Sequence, residues 1–342
     1  MAVSSSTVFD CIVIGAGIQG SFTAYHLAKN QQKTLLLEQF PLPHSRGSSH
    51  GQTRIIRRAY AEDFYTYMME ESYQLWAELE RESGIKLYRK TGLLLIAPAG
   101  NEEFESVCTN MAQTQTPWEQ LTQEQLKLKY PGLFLKPGEV ACCDYDGGVL
   151  SADKALRAVQ EQFQKMGGVI KDGQKVKHIQ PGPVVTVTTT FSAYEANKLV
   201  ITAGPWAQRV LSPLDLELPL KICFHGGNEA DPEQREIPAK HIQIQDIQIL
   251  CKFISEYLPG LHPEPAVIEQ CMYTNTPDNN FILDHHPLYK NIIIGSGFSG
   301  HGFKLSPLVG KILSELALGK QHSYDLKPFQ ITRFKTPMQS SL

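Results

Sequence analysis

Residues 11–38 leave the chain little freedom in what it can fold into. Cys11–Ile14 is a short apolar run, and Gly15-x-Gly17-x-x-Gly20 follows it directly. Ile18–Lys29 then carries apolar residues at helical spacing, and Thr34–Leu37 is a second apolar run that ends at Glu38. The change of period predicts strand, turn, helix and strand, a βαβ unit of the usual right hand. In that geometry Gly15 permits the tight turn and Gly17 lets backbone N–H groups approach a pyrophosphate. Gly20 lets helix and strand pack closely. Glu38 closes the second strand about 20 residues on, where a carboxylate accepts from ribose hydroxyls. The segment reads as a dinucleotide site; the alternative is a chance glycine-rich turn.

Further segments extend this domain. Val200–Gly204 is a strand ending in small residues, with Pro205-Trp206 opening a helix, and Gly204 belongs to its turn. Asn291–Ile294 is a strand running into Gly295, Gly297, Gly300 and Gly302, and Lys304–Leu318 is a helix. The amides of that second glycine-rich loop could face a flavin pyrimidine or a carboxylate. Between these segments the pattern predicts helices over 63–84, 102–111, 123–129, 151–166 (with Ser151 as N-cap) and 240–257. It predicts strands over 92–96, 184–190, 271–274 and 281–283.

The cofactor domain is therefore discontinuous, formed by 1-85, 145-212 and 285-330, and 86-144 with 213-284 form a substrate domain. That layout suits flavoproteins better than nicotinamide dehydrogenases. The expected fold is α/β: a Rossmann-like FAD-binding domain with a second substrate domain on a mixed or antiparallel sheet.

Composition narrows the function. The chain has 342 residues, room for roughly two domains. A net charge of −3 with 20% charged residues offers no basic stripe for nucleic acid. Arg54, Arg57 and Arg58 form a local cluster suited to a small anion. Seven scattered cysteines contain no C-x-x-C pair, so neither a metal site nor a thioredoxin motif is expected, and reduced thiols are the default. Met1–Phe9 has neither a basic n-region nor a long apolar run, so no signal peptide or membrane span is expected.

The chain resembles the monomeric sarcosine oxidase family over nearly its whole length. The matching motifs are Ile12–Gly20, Ser49-His50-Gly51-Gln52-Thr53-Arg54-Ile55-Ile56-Arg57, Cys271-Met272-Tyr273-Thr274-Asn275-Thr276-Pro277-Asp278 and Gly297-Phe298-Ser299-Gly300-His301-Gly302-Phe303-Lys304. The last two are highly specific. The resemblance implies FAD joined through a thioether at Cys271, and a monomer that oxidises a small secondary amino acid such as sarcosine or L-pipecolate. Oxygen would be reduced to hydrogen peroxide. A flavin dehydrogenase that passes electrons to a carrier protein is the alternative.

The resemblance also implies roles for individual residues. Arg57 and Lys304 match the pair that grips the substrate carboxylate. His50 and Arg54 match residues beside the flavin ring, and Tyr273 and His301 match substrate-pocket residues. Val176 matches the valine whose backbone meets the adenine. Blander readings stand beside these: a surface ion pair for Arg57, a helix-face lysine for Lys304, a core tyrosine, a loop histidine, a strand valine and a small buried cysteine.

Lys221-Ile222-Cys223-Phe224-His225-Gly226 looks like the family strand whose lysine promotes oxygen reduction over flavin N5, and His225 matches a pocket residue. Yet Leu218-Pro219-Leu220 normally leads into a different strand. The sequence reads as an internal deletion after Leu220, a splice-type form with a reduced sheet and impaired turnover. Lys221 then reads equally as an exposed lysine at a rearranged junction. Ser340-Ser341-Leu342 resembles a peroxisomal address without its central basic residue; otherwise the cytoplasm is expected.

Overall fold

The computed structural model describes residues 8–223, 229–234, 242–268 and 271–334. Strand β1 (Phe9–Ile14), helix α1 (Ile18–Lys29) and strand β2 (Thr34–Leu37) form the expected βαβ unit, with β1 and β2 parallel. Alternation along the buried β1 serves two cores. Cys11 and Val13 face α1, α2 (Asp63–Ser83) and the helices Ala152–Lys165 and Ser306–Leu318, while Ile12 and Ile14 pack with Leu199, Ile201, Leu211 and Leu218 on the opposite side.

Among the described residues, eight strands form the main sheet. Val169–Lys171 extends it beyond β2, and Ala193–Ile201 lies parallel to β1 on the other side. Ala193–Ile201 has nine residues because it serves two further partners. Its first half pairs antiparallel with Val185–Thr189, which in turn pairs with Val176–Gln180. Its second half pairs parallel with Ile292–Ser296, which carries Ile282–His285 antiparallel at the edge.

Three small antiparallel sheets complete the fold. Leu93–Pro98, Glu139–Asp144 and Trp118–Leu121 form one, and Thr53–Ile56, Gly148–Ser151 and Tyr88–Lys90 form another. Lys221–Cys223 pairs with Tyr273–Asn275 in a two-stranded sheet among the described residues, and the Ile222 carbonyl also accepts from the Ala230 N–H at 3.0 Å. No helix among the described residues is long and apolar enough to cross a membrane.

The sequence reading differs from the structure in several places. Tyr88–Lys90 pairs across the expected 85/86 boundary, and Ile282–His285, placed in the substrate domain, belongs to the main sheet. Ser151 takes the N-cap position of its helix, as expected, but its side chain makes no capping hydrogen bond, and its backbone pairs with Thr53 at the end of a strand. Arg58 is committed to structure. Its backbone N–H donates to the buried Asp144 at 2.7 Å, its guanidinium pairs with Glu70 and Asp146 at 3.0 and 3.1 Å, and it stacks 3.9 Å from the centre of the Tyr73 ring. It is unavailable to an external anion.

Candidate active site

The carboxyl ends of β1, β2 and Ala193–Ile201 open onto a cavity of about 810 Å³, where α/β sheets place their ligands. Of the residues singled out from sequence, Gly15, Gly17, Glu38, His50, Arg54, Val176, Gly204, Cys271, Tyr273 and Gly300 line it. Gly20 lies beneath it. Arg57, Lys304 and His301 form a separate cluster beside it. Lys221 does not line the cavity; its side chain is half exposed and lies 3.7 Å from Glu229. His225 lies outside the described residues, as does the Ser-Ser-Leu terminus.

The first turn is held by backbone. Gly15 has φ of +99°, and a Cβ there would stand 2.5 Å from the Thr202 carbonyl oxygen. A Cβ on Gly20 would stand 1.9 Å from the Gly15 oxygen and 2.5 Å from Thr202 Oγ1. Glu38 is buried and accepts from the Ala16 and Phe40 N–H groups at 2.9 and 3.1 Å, with His44 at 3.4 Å. Gly17 gives α1 no capping side chain, and Ser49 Oγ accepts from Ile18 N–H at 2.9 Å instead.

Gln19 also lines the cavity. Its amide donates to the Gly302 carbonyl at 2.9 Å, while its buried Oε1 has no protein partner. Neither Ser49 nor Gln19 was given a role from sequence. Their signal was position alone, one in the Ser-rich loop after β2 and one between the motif glycines.

At the other end, Arg54 rises from the strand Thr53–Ile56. Its Nη2 donates to the Ser48 and His50 carbonyls at 2.9 and 2.7 Å and lies 3.7 Å from Cys271 Sγ. The Cys271 thiol donates to the Ser48 carbonyl at 3.5 Å. Arg54 also stacks 5.6 Å from the centre of the Phe303 ring. Tyr273 lies against Gly300, where a Cβ would come 2.6 Å from its ring.

Beside this end Arg57 stacks 4.6 Å from the centre of the Tyr60 ring and donates to the Ala59 carbonyl. Lys304 Nζ donates to Tyr60 Oη at 3.1 Å and to the His301 carbonyl at 3.2 Å. Ser72 Oγ and Trp76 Nε1, both on α2, donate to the Lys304 carbonyl at 2.6 and 2.9 Å and fix the start of its helix. Burial, reinforced by the Arg57 charge, pushes the Lys304 ammonium down to about 7. Burial, with Lys304 and Arg57 adding to it, pushes His301 down to about 3. Tyr60 went unremarked in the sequence, although it follows Arg57 by three positions.

These features fit an adenine dinucleotide. The glycine turn brings backbone amides to the cavity at the start of α1, and Glu38 stands at one end. Gln19 Oε1 waits on the wall as an acceptor, the complement of a sugar or ribityl hydroxyl.

The chain matches the model of the "FAD dependent oxidoreductase" family over residues 10–225 and again over 218–316. It is 50% identical to peroxisomal sarcosine oxidase from Homo sapiens, with 96% of each chain covered. It is 33% identical to monomeric sarcosine oxidase from Bacillus sp. (strain NS-129), with 96% of this chain and 97% of that one covered. The human alignment spans 376 positions, more than the 342 residues present, so that relative carries residues this chain lacks. Among solved structures it is similar in fold to NikD, an amino acid oxidase essential for nikkomycin biosynthesis, with TM-score 0.82 at 20% identity over 95% of this chain and 98% of that one. L-proline dehydrogenase from P. horikoshii gives TM-score 0.82 at 19% identity over 96% and 98%.

Gly20→Ala tests the cradle. Its methyl group has nowhere to go, because Gly15 N–H is bonded to the Leu37 carbonyl and Thr202 is bonded to the Ile14 carbonyl through both its N–H and its hydroxyl. The variant is expected to purify colourless and to show no rise in melting temperature on addition of FAD; FAD uptake equal to wild type would contradict this account.

Proposed function

Because the chain belongs to the FAD-dependent oxidoreductase family, and within it to the sarcosine oxidases, we propose that it oxidises a small secondary amino acid, sarcosine or L-pipecolate, and that oxygen is reduced to hydrogen peroxide. The observation that carries this reading is the Arg57–Tyr60–Lys304–His301 cluster beside the Cys271 end of the cavity, in which Tyr60 and Lys304 are buried and Arg57 and His301 partly so. It offers two cations, one fork-shaped and one point-like, to a carboxylate at the place where the amine would meet the flavin.

Bound FAD supplies the two-electron acceptor. Gly15, Gly17 and Glu38 would hold its adenine dinucleotide half, with Val176 at the adenine, and Gly204 and Gly300 would border the remainder. Cys271 would carry it covalently. Arg57 and Lys304 fix the substrate carboxylate, with Tyr273 and His301 around the amine. Arg54 would place positive charge beside the ring, with His50 next to it, which favours electron uptake. The substrate amine gives up two electrons and two protons and leaves as the imine. The protein acts on free amino acid and oxygen as a monomer, in the peroxisome, the compartment in the names of its human and mouse relatives.

One observation favours a second reading, a form that binds FAD and turns over slowly. The two matched stretches of the family model meet at 218–225, across the Leu220–Lys221 junction. There, among the described residues, Lys221–Cys223 lies in a two-stranded sheet, with Lys221 turned to Glu229. A narrow sheet admits water and weakens electrostatic contacts at the ring. The discriminating experiment measures peroxide release from sarcosine and L-pipecolate, for this chain and for one with a family-like insert after Leu220. Turnover and melting temperature are both expected to rise with the insert. Equal values would overturn the second reading, and absence of peroxide from both would overturn the first.

Covalent attachment is read from colour. Acid-precipitated protein is expected to stay yellow and Cys271→Ser to release its flavin; a colourless wild-type pellet would place the linkage elsewhere.

The Lys304 shift gives a pH signature. Its amine loses its proton near pH 7 in the free site, and a bound carboxylate raises that value again. Binding of cyclohexanecarboxylate, the isostere of pipecolate without its nitrogen, is therefore expected to take up protons at pH 8 and none well below 7, and to weaken as pH rises. Calorimetry in buffers of different ionisation enthalpy measures the uptake. Lys304→Met should abolish it and weaken binding about ten- to a hundredfold.

A further inference from the structure

Tyr60 has no role in the reading above except as a neighbour, yet its position is unusually determined. It is buried, its ring lies 5.1 Å from that of Tyr65, and its carbonyl accepts from Asn110 Nδ2 at 3.1 Å. From that fixed place it touches both cations: its ring underlies the Arg57 guanidinium and its hydroxyl meets Lys304 Nζ.

The direction of each hydrogen bond follows from one carbonyl. His301 Nε2 lies 3.0 Å from the Asn279 oxygen, which can only accept, so Nε2 carries the hydrogen. The ring is neutral, because burial and the two cations oppose its protonation. Its Nδ1 is therefore an acceptor, and the Tyr60 hydroxyl, 3.2 Å away, must donate to it. The Tyr60 oxygen is then left to accept from Lys304. The chain runs one way, from Lys304 to Tyr60 to His301 to the Asn279 carbonyl. A second Nζ hydrogen goes to the His301 carbonyl, and one position on the nitrogen remains for a ligand.

Resting on the carboxylate reading proposed above, we propose that Tyr60 is a positioning residue that aims both substrate-carboxylate cations, holding Lys304 through its hydroxyl and Arg57 through its ring, with His301 fixing the direction of that hydroxyl. A lysine with four rotatable bonds gains an address, and a guanidinium gains a platform that keeps it flat. The Tyr60 oxygen also favours the ammonium form of Lys304, against the Arg57 charge that opposes it. The groups facing Lys304 are thus Arg57 from the turn after Thr53–Ile56, Tyr60 itself and His301 on its own loop, and Glu62 acts on Tyr60.

The test uses flavin-loaded protein. Cyclohexanecarboxylate binding is followed from the flavin absorbance across pH, and kcat and KM are measured with L-pipecolate. Tyr60→Phe keeps the ring and loses the hydroxyl. It is expected to weaken carboxylate binding about tenfold, to raise KM with little change in kcat, and to move the basic limb of binding to lower pH. Tyr60→Leu, which also removes the platform, should weaken binding further. In the Tyr60→Phe/Lys304→Met double variant the hydroxyl should no longer matter, and binding should equal that of Lys304→Met alone. Wild-type binding and an unmoved limb in Tyr60→Phe would overturn the proposal, as would multiplied effects in the double variant. The carboxylate reading fails separately: if Lys304→Met and Arg57→Ala both keep wild-type affinity, the carboxylate binds elsewhere, and the role of Tyr60 falls with it.

Discussion

The absence of a side chain at Gly20 is the constraint on which the rest of the molecule depends. There α1 lies so close to the turn that carbonyl oxygen of Gly15 and hydroxyl of Thr202 occupy the space a Cβ would need. That contact joins three segments: the end of β1, the start of α1, and the end of Ala193–Ile201, whose Thr202 Oγ1 donates to the Ile14 carbonyl at 3.0 Å. Two walls of the cavity are tied to this junction. Glu38 reaches Ala16 from β2, and Gln19 reaches Gly302 on the loop leading to Lys304. Close backbone packing thus transmits the geometry of one turn to residues nearly 300 positions away.

The inner end is governed by a different balance. Lys304 sits in a buried place with only neutral oxygens as its hydrogen-bond partners, and Arg57 stands near enough to oppose its charge. Holding an ammonium there is costly, and on the proposed reading a substrate carboxylate would offset that cost. Ser72 and Trp76 hold the Lys304 backbone, Tyr60 meets its ammonium and Asn279 meets the His301 ring, so the cluster is held from several elements rather than by its own loop alone.

Much of this was legible in the sequence because period and punctuation agree. The βαβ unit, the helices over 102–112 and 123–129 and the last long helix are all marked by apolar spacing and by Asn, Thr, Pro or Gly at their ends. The missed elements are short strands such as Thr53–Ile56 and Tyr88–Lys90, whose existence depends on the distant Gly148–Ser151. No local pattern can announce a pairing across some 60 to 100 residues. Ser151 reads as a cap because it stands before a helix, and it takes that position without a side-chain bond to the helix amides. Arg54, Arg57 and Arg58 looked like one cluster and have three separate surroundings, because successive residues after a strand diverge. Tyr60 was invisible for a related reason: its importance comes from His301 and Lys304, more than 240 residues later.

That interleaving of early and late segments dictates when the molecule can acquire its cofactor. β1, α1 and β2 are complete within the first 40 residues, but the strand Ile292–Ser296 and the helix Ser306–Leu318 that cover them come from the last fifth of the chain. During synthesis the glycine turn emerges early and then waits, with its apolar faces open, until almost all of the polypeptide has left the ribosome. Contacts of such long sequence separation form slowly. A complete cofactor cradle therefore exists only once almost the whole chain has been made, and the early βαβ unit has no finished site in which to hold a dinucleotide before then.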